Sequence, residues 1–566
     1  MDAMQVLSAA EMQACDRATT ERFSVPSFDL MRAASSAVAA FARRQFPLAR
    51  RITVLCGRGN NGGDGMMAAR LLASAGLQVT TLQLGPPEGL GGDALKAWGE
   101  LLASAAPGSV HVVEKAEDLA RHMPALDADL LIDAVLGTGF KPPLKGLALA
   151  ALEWMRASPT PVLAVDLPSG WAADEISATV AGPVFPADAV ITFTAPKPAH
   201  VFGALTRRWS QPVVVAPIGS PDAAVVSGLK LEWAGSAMGL AQSPRARAAN
   251  KGSFGHVLVV GGSVGKSGAP AMAALAALRS GAGLVTAAVP APVLPLVAAI
   301  APELMTWPLA ATHAGGVSPE SLAPGLAVEG RPAKANLIFM AQATIDTLFA
   351  GKTVLAIGPG LGQSPETVKF VTGLLSATKI PAVIDADALN ILATKPVLLA
   401  KLARNRTLVL TPHPGEMARL AGIPVAEVQA NRLEVARTFA QRTGVTLVLK
   451  GARTLIAHPD GRVAVNTTGN PGMAKGGSGD LLTGLVAGLL AQHPADPARA
   501  VEAAVYLHGL AADLAVRQAD EHTLLATDSL AQLARAFHFR ARGANGYLWL
   551  QGLPEDAQPV SHEDAQ

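Results

Sequence analysis

Ile52-Thr53-Val54-Leu55-Cys56-Gly57-Arg58-Gly59-Asn60-Asn61-Gly62-Gly63-Asp64-Gly65 is the stretch that decides the fold of the first half. An apolar run breaks directly into glycines, and a helical pattern continues to Gly76. Glycines let a backbone approach a ligand closely, and the free N–H groups at a helix start suit phosphate. Gly57, Gly59 and Gly62 satisfy a dinucleotide-type G-x-G-x-x-G. An ordinary NAD dehydrogenase would place an acidic residue about 20 positions on, at the end of the next strand. Thr80, Thr81, Leu82 and Gln83 stand there instead, which disfavours that enzyme class.

Outward from this loop, short apolar runs alternate with helical patterns. Ile52–Cys56, Gln78–Leu82, Leu130–Ala134, Val162–Asp166, Ala189–Phe193 and Val213–Val215 read as strands. Runs apolar on both faces and separated by helices predict a parallel sheet covered on two sides. Upstream, Ser8 and Glu11 have capping-box spacing, and Leu30, Met31, Ala34, Val38 and Phe41 recur at helical spacing. From Ser220 to Ala249 the pattern weakens among Pro221, Gly228, Gly235, Gly239 and Pro244. A second α/β pattern starts at His256–Val260 and continues with Leu284–Val289, Thr353–Ile357, Ala382–Asp385, Thr407–Leu410 and Thr446–Lys450. Ala311–Asn336 reads as a long loop, and the polar residues from Arg542 on read as a loose tail. The expected fold class is α/β, with a doubly wound sheet in the first half and a second α/β domain after it. The expected division is a first domain over 1–218, a linker over 219–245, a second domain over 246–540 and a flexible tail over 541–566.

Composition narrows the function. The chain has 566 residues, 50% of them hydrophobic and 16% charged, enough for two to four packed cores. A net charge of +2 and 4% aromatics provide neither a basic stripe nor a stacking platform, so nucleic acid is not an expected partner. Val285 to Met305 is the most apolar long stretch, but Pro290, Pro292, Pro295 and Pro302 argue against a membrane helix. Only Cys15 and Cys56 are present, which excludes a disulfide framework and fits a reducing, cytoplasmic location.

Polar residues gather where strands end. Asp133 precedes Gly137-Thr138-Gly139-Phe140-Lys141-Pro142-Pro143, and Asp166 leads into Leu167-Pro168-Ser169-Gly170. Ligands of open α/β sheets collect at such carboxyl ends. Asn61, Asp133 and Ser169 would offer oxygens to a hard, weakly held cation, although a lone Asp at a strand end often only caps a helix. In the second half, Asn470-Pro471-Gly472-Met473-Ala474-Lys475-Gly476-Gly477-Ser478-Gly479-Asp480 precedes the apolar run Leu481–Leu490. Successive Gly and Ser N–H groups make an anion hole, and Asp480 at its mouth can take a proton from an attacking hydroxyl. Gly358–Gly362, Asp385–Asn390, Thr411–Glu416 and Lys450–Thr454 each follow a strand. Gly261-Gly262-Ser263-Val264-Gly265-Lys266-Ser267 suggests a Walker loop, but the spacing requires glycine at Val260.

With these residues on the page, the Asn60–Gly65 string, Asp133 and the Asp166–Gly170 turn resemble the NAD(P)H-hydrate epimerase family over roughly residues 8–218. The resemblance implies that Asn60, Asn61, Gly62, Gly63 and Asp64, with Gly137, Thr138, Gly139, Phe140, Lys141, Pro142, Pro143 and Asp166, contact the hydrated nucleotide. It implies potassium on Asn61, Asp133 and Ser169, and Asp166 as general acid or base. The Gly472–Asp480 pattern resembles the signature of ribokinase-like small-molecule kinases. Together with Lys251–Gly255, Gly261–Ser263, Ser267–Ala269, Gly358–Gly362 and Thr411–Glu416, it is similar to NAD(P)H-hydrate dehydratases over about residues 246–535. There the resemblance implies that Ala269, Gly362, His413 and Asp480 meet the hydrate. Lys450, Gly451, Ala452, Arg453, Thr454 and Gly479 would meet the adenine nucleotide, with Mg²⁺ and ADP or ATP, and Asp480 would be the catalytic base. The implied fold is a Rossmann-like domain followed by a ribokinase-like domain. The implied function is repair of hydrated NADH and NADPH (NADHX and NADPHX), by epimerising R and S forms and dehydrating the S form. A homo-oligomer, a tetramer for instance, is the expected assembly. Two rivals stand beside this reading: a kinase for a vitamin alcohol, and a first half that only senses nucleotides.

Overall fold

The structure is a computed structural model that describes residues 3–322, 345–404, 406–543 and 545–554. It divides into two compact units, one made of Met4–Trp233 with the residues from Arg540 on, the other running from Ala234 to Phe539.

In the first unit, strands β1 (Arg51–Cys56), β2 (Gln78–Leu84), β3 (Val110–Val113), β4 (Leu130–Ala134), β5 (Val162–Val165), β6 (Ala189–Phe193) and β7 (Val213–Ala216) form a parallel sheet in the order β7-β6-β5-β4-β1-β2-β3. The order reverses between β1 and β4, and there the loops after those strands diverge to opposite faces and leave a crevice. Residues of β4, β5, β6 and β7 are buried on both faces, as expected for strands covered by helices on each side. β3 was not expected, because Val110–Val113 is short and carries His111. At the N-terminus the capping box forms: Ser8 Oγ accepts from Glu11 N at 3.2 Å and Glu11 Oε2 accepts from Ser8 N at 2.8 Å. A short strand, β8 (Leu231–Trp233), bridges Gln5 through Glu232.

In the second unit, β9 (His256–Val260), β10 (Leu284–Pro290), β11 (Met305–Leu309), β12 (Val354–Ile357), β13 (Ala382–Ile384), β14 (Leu408–Leu410) and β15 (Thr446–Leu449) are parallel. They lie in the order β11-β10-β9-β12-β13-β14-β15, extended by an antiparallel pair, β16 (Leu455–Ala457) and β17 (Val463–Val465). The reversal here falls between β9 and β12. Their loops meet, with Gly262 N donating to Pro359 O at 2.8 Å and Ser263 Oγ to Gly360 O at 2.8 Å. This is the α/β architecture expected for the second half, with β11, β16 and β17 as additional strands. The proline-rich stretch from Val285 to Met305 is strand β10 and the short helix Leu294–Ala298. No helix among the described residues is long and apolar enough to cross a membrane.

Two expectations about chain organisation change. The tail expected to be loose from residue 541 instead returns to the first unit as β18 (Leu548–Gln551), antiparallel to β7. Tyr547 and Trp549, 8% and 5% exposed, pack edge-on against Phe41 with ring centroids 6.2 and 6.3 Å away. Burying two aromatic rings and pairing the β7 edge outweighs the entropy of tying down a few residues. The linker expected over 219–245 is also structured: β8 lies within it, and Ala234–Ala237 are buried in the second unit. Residues 323–336 of the expected loop and 555–566 of the expected tail lie outside the described residues.

Candidate active sites

The first site is a cavity of about 790 Å³ at the sheet reversal of the first unit, among residues from the loops after β1, β4, β5 and β6 and from the two N-terminal helices. Of the expected contacts, Asn60, Asn61, Asp64, Gly137, Thr138, Gly139, Phe140 and Asp166 line it. Gly62, Gly63, Lys141, Pro142 and Pro143 are not among its lining residues. Gly62 has a packing reason to be glycine: a Cβ there would stand 1.9 Å from Gly57 O. At Gly63 a Cβ would lie 2.6 Å from Met31 Cε.

Asp166 is the most heavily coordinated group of the cavity. It directly follows β5 with φ of 65°, a conformation that costs a non-glycine residue energy and turns its side chain into the site. Oδ1 accepts from Lys197 Nζ and Thr192 Oγ1, each at 2.8 Å, and Oδ2 accepts from Thr138 N at 2.8 Å and from the Thr138 hydroxyl. Burial alone would raise this carboxyl, but the Lys197 ammonium and these donors outweigh it and hold Asp166 well below the ordinary aspartate value. His200 Nε2 meets the Asp166 carbonyl at 2.7 Å. Burial, with Lys197 nearby, lowers His200 to about 4, so it is neutral. Asp64 is pushed the other way, upward, by burial and by the neighbouring charges of Asp166 and Asp16. Lys197 and Thr192 were not anticipated. The available signal was a lysine flanked by Pro196 and Pro198 just beyond a strand end.

Asp133 and Ser169 lie beside this cavity. Ser169 donates to Asp133 through N at 2.8 Å and through Oγ at 2.6 Å, and Leu136 N donates to Ser169 Oγ at 2.8 Å. Burial raises Asp133 to about 6. The Asn61 side chain carries the clearest sign of a missing partner: both its Oδ1 and Nδ2 are buried without a hydrogen bond. A buried amide oxygen in that state calls for a ligand. One carboxylate with neutral oxygens suits a monovalent cation, so this set fits potassium.

The second site gathers at the carboxyl ends of β13, β14 and β15 and at the start of the helix Ser478–Gln492. Gly477 has φ of +97° and turns the chain into that helix. A Cβ at Gly479 would stand 3.5 Å from Lys450 Nζ and 3.9 Å from Asp385 Oδ2, so the helix start lies over a lysine and a carboxylate. Lys450 Nζ donates to Asp385 Oδ1 at 2.9 Å and approaches Glu416 Oε2 at 3.9 Å. Burial would lower this ammonium, but Asp385 and Glu416 raise it above its ordinary value. Asp480, in the first turn, is raised to about 6, first by burial and then by the Asp385 charge. His413 Nδ1 caps the helix Pro414–Ala421, accepting from Gly415 N at 3.0 Å, and Glu416 Oε2 accepts from His413 N at 2.8 Å. Gly362 N donates to Asp387 Oδ2 at 2.8 Å, while a Cβ on Gly360 would lie 3.3 Å from the Ala269 Cβ, which places the Gly358–Gly362 loop against Ala269. Arg453 is turned elsewhere, donating to Thr467 O at 3.1 Å near Asp513. Among the described residues no group of three His, Cys, Asp or Glu could hold a metal ion. An anion hole without such a cluster fits Mg²⁺ carried mainly by a nucleotide's own phosphates.

A family model for NAD(P)H-hydrate dehydratase matches residues 257–535, and one for the YjeF-related protein N-terminus matches residues 27–199. The bifunctional NAD(P)H-hydrate repair enzyme Nnr of Moorella thermoacetica is 42% identical over 547 residues, which cover 93% of this chain and 95% of that protein. The protein of the same name from Escherichia coli is 33% identical over 541 residues, covering 93% of each. A solved structure of ADP/ATP-dependent NAD(P)H-hydrate dehydratase from Bacillus subtilis, co-crystallized with ATP/Mg²⁺, is 33% identical. It covers 54% of this chain and 97% of that one, with a TM-score of 0.43.

Proposed function

The chain belongs to the family of bifunctional NAD(P)H-hydrate repair enzymes, and we propose that its two sites divide the work, epimerisation at Asp166 and nucleotide-dependent dehydration at Asp480. Hydration of the nicotinamide double bond creates a stereocentre. A dehydratase pocket fitted to the S form leaves the R form unprocessed, and the epimerase interconverts the two. In the first site Asp166 acts in its ionised form. It takes the proton from the hydroxyl on the hydrated carbon as the bond from that carbon to the ring nitrogen breaks and the oxygen becomes a carbonyl; the nitrogen then re-adds to the opposite face and the proton returns to the oxygen. Lys197 keeps the carboxylate charged, and Thr138 fixes the oxygen nearest Gly137. Potassium, held by Asn61, Asp133 and Ser169, would supply a fixed positive charge beside the substrate.

In the second site the observation that carries the reading is the meeting of Asp480, Lys450 and the Gly479 helix start. Hydroxide is a poor leaving group, and phosphoryl transfer converts the hydroxyl into a good one. Asp480 removes the hydroxyl proton while the Gly479 N–H and Lys450 stabilise the charge that develops on the phosphoryl group in transfer. Phosphate then departs with the C–O electron pair, and the neighbouring ring carbon gives up a proton to solvent, which restores the double bond. Mg²⁺ bound with the nucleotide would neutralise phosphate charge. ADP is the preferred nucleotide in this proposal, because the family resemblance pairs fusion to the epimerase with ADP. A cytoplasmic location, where buried Cys15 and Cys56 stay reduced, and a homo-oligomer complete it. The test supplies S-hydrate, Mg²⁺ and ADP or ATP and follows the return of NADH absorbance. Accumulation of a stable phosphorylated product would favour a vitamin-type kinase instead.

A further inference from the structure

Asp385 is a fully buried carboxylate, 2% exposed, to which the mechanism above gives no part. It occupies the N-cap position of the helix Ala386–Ala393, where an aspartate ordinarily accepts a backbone N–H of the first turn and stabilises the helix by about 1 kcal/mol. Here no such capping bond forms. Oδ1 accepts instead from Lys450 Nζ at 2.9 Å and Thr411 Oγ1 at 2.8 Å, and Oδ2 accepts from Thr483 Oγ1 at 2.7 Å. These donors come from the ends of β15 and β14 and from the helix that begins at the anion hole. The next residue, Ala386, has φ of 49°, a left-handed conformation unfavourable for alanine. A Cβ on Gly358 would stand 1.8 Å from the Asp385 carbonyl, so the loop after β12 presses against the same point. The chain forgoes a cap and accepts strain in order to aim one carboxylate at a lysine.

The lysine is not sealed in. Its side chain keeps 20% exposure, and its ammonium lies 3.5 Å from where a Cβ on Gly479 would project. An ammonium at that distance from the anion hole faces a bound phosphate, and a carboxylate behind it fixes the flexible four-carbon stem. We infer that Asp385 is a positioning residue of the dehydratase site, holding the Lys450 ammonium against the phosphoryl group that the Gly479 helix start receives. Thr483 ties the same carboxylate to the helix that carries Asp480, so cation and base are held in one frame. The inference rests on the dehydratase reading of the second site.

The experiment is a double-mutant cycle in the full-length enzyme, with Asp385→Asn, Lys450→Met and both together. Nucleotide-dependent NADH recovery is measured for kcat and KM, and thermal unfolding followed by circular dichroism serves as the folding control, because epimerase activity reports only on the first unit. Lys450→Met should lower kcat by about 100-fold, and Asp385→Asn by about tenfold or more, with little change in nucleotide KM. Because Asp385 acts through Lys450, the double variant should be scarcely slower than Lys450→Met. Thr483→Val removes one bond and should slow kcat several-fold, which keeps the test alive if Asp385→Asn does not fold. Multiplicative losses in the double variant, or a rise in nucleotide KM at unchanged kcat, would overturn the inference. Wild-type enzyme that recovers no NADH with either nucleotide would instead overturn the dehydratase reading.

Discussion

Replacing Lys197 with methionine should destabilise the first unit strongly at neutral pH and little in acid. Lys197 and Asp166 have side chains 2% and 8% exposed, and the ammonium gives one hydrogen bond of 2.8 Å to Asp166 and one of 2.7 Å to Thr192. Methionine matches the length of the stem but leaves a carboxylate buried without its counter-charge. Removing one partner of such a pair costs about 3–5 kcal/mol. In the wild type the folded value of Asp166 is depressed below 3.8, so its contribution to stability is present above 3.8 and is lost as pH falls through the lower folded value. Without Lys197, burial dominates and the folded value rises above 3.8. The variant's penalty then appears as pH climbs through that raised value and fades below it. Urea unfolding followed by tryptophan fluorescence suits the measurement, because Trp98, Trp154, Trp171, Trp209, Trp233 and Trp549 belong to the first unit and only Trp307 to the second. Adding Asp166→Asn to the variant should recover most of the stability and none of the epimerase activity. A loss below about 1 kcal/mol at neutral pH, the value typical of an exposed pair, would refute the reasoning. An equal loss at both pH values would do the same.

Asp480→Asn should lower the dehydratase rate by about 10²–10⁴-fold while the epimerase rate stays put, as parallel assays of the two activities will report. Because burial and the Asp385 charge push Asp480 up to about 6 in the free enzyme and it acts ionised, the wild-type dehydratase kcat/KM should fall as pH drops through about 6, in a profile absent from the Asn variant. Trp549→Ala should cost the first unit about 3–5 kcal/mol in urea unfolding, with NADH recovery from S-hydrate retained. Asn61→Ala should raise the potassium concentration for half-maximal epimerisation about tenfold, read from a potassium titration, and leave the dehydratase indifferent to the change.

The parts of the sites nearest to glycine were the most legible in the sequence. The runs into Gly57–Gly65, Gly358–Gly362 and Gly472–Gly479 marked strand ends and helix starts, because at Gly57, Gly62, Gly358 and Gly472 neighbouring backbone comes too close for a side chain. Core strands such as Leu130–Ala134 and His256–Val260 were legible because burial on both faces demands unbroken apolar runs. Short or proline-bearing strands were not: Met305–Leu309 includes Pro308, and Val463–Val465 is three residues long. Tyr547-Leu548-Trp549-Leu550 was hidden among polar residues, and its partner β7 lies more than 300 positions earlier by the register of Leu548 with Val215. Shorter separations, 31 and 98 residues, were enough to hide Lys197 from Asp166 and Thr483 from Asp385. Local patterns announce where a strand ends but not which distant donors will converge on it.

The claim that both chemistries reside in one chain is tested most directly with an equal mixture of R and S hydrates, Mg²⁺ and ADP, followed by NADH absorbance to completion. Wild type should recover all of the mixture. Asp166→Asn, under conditions where spontaneous epimerisation is slow, should recover promptly only the S half, and Asp480→Asn should recover almost none in the time wild type needs to finish. Complete and prompt recovery by Asp166→Asn, or full activity in Asp480→Asn, would contradict the account.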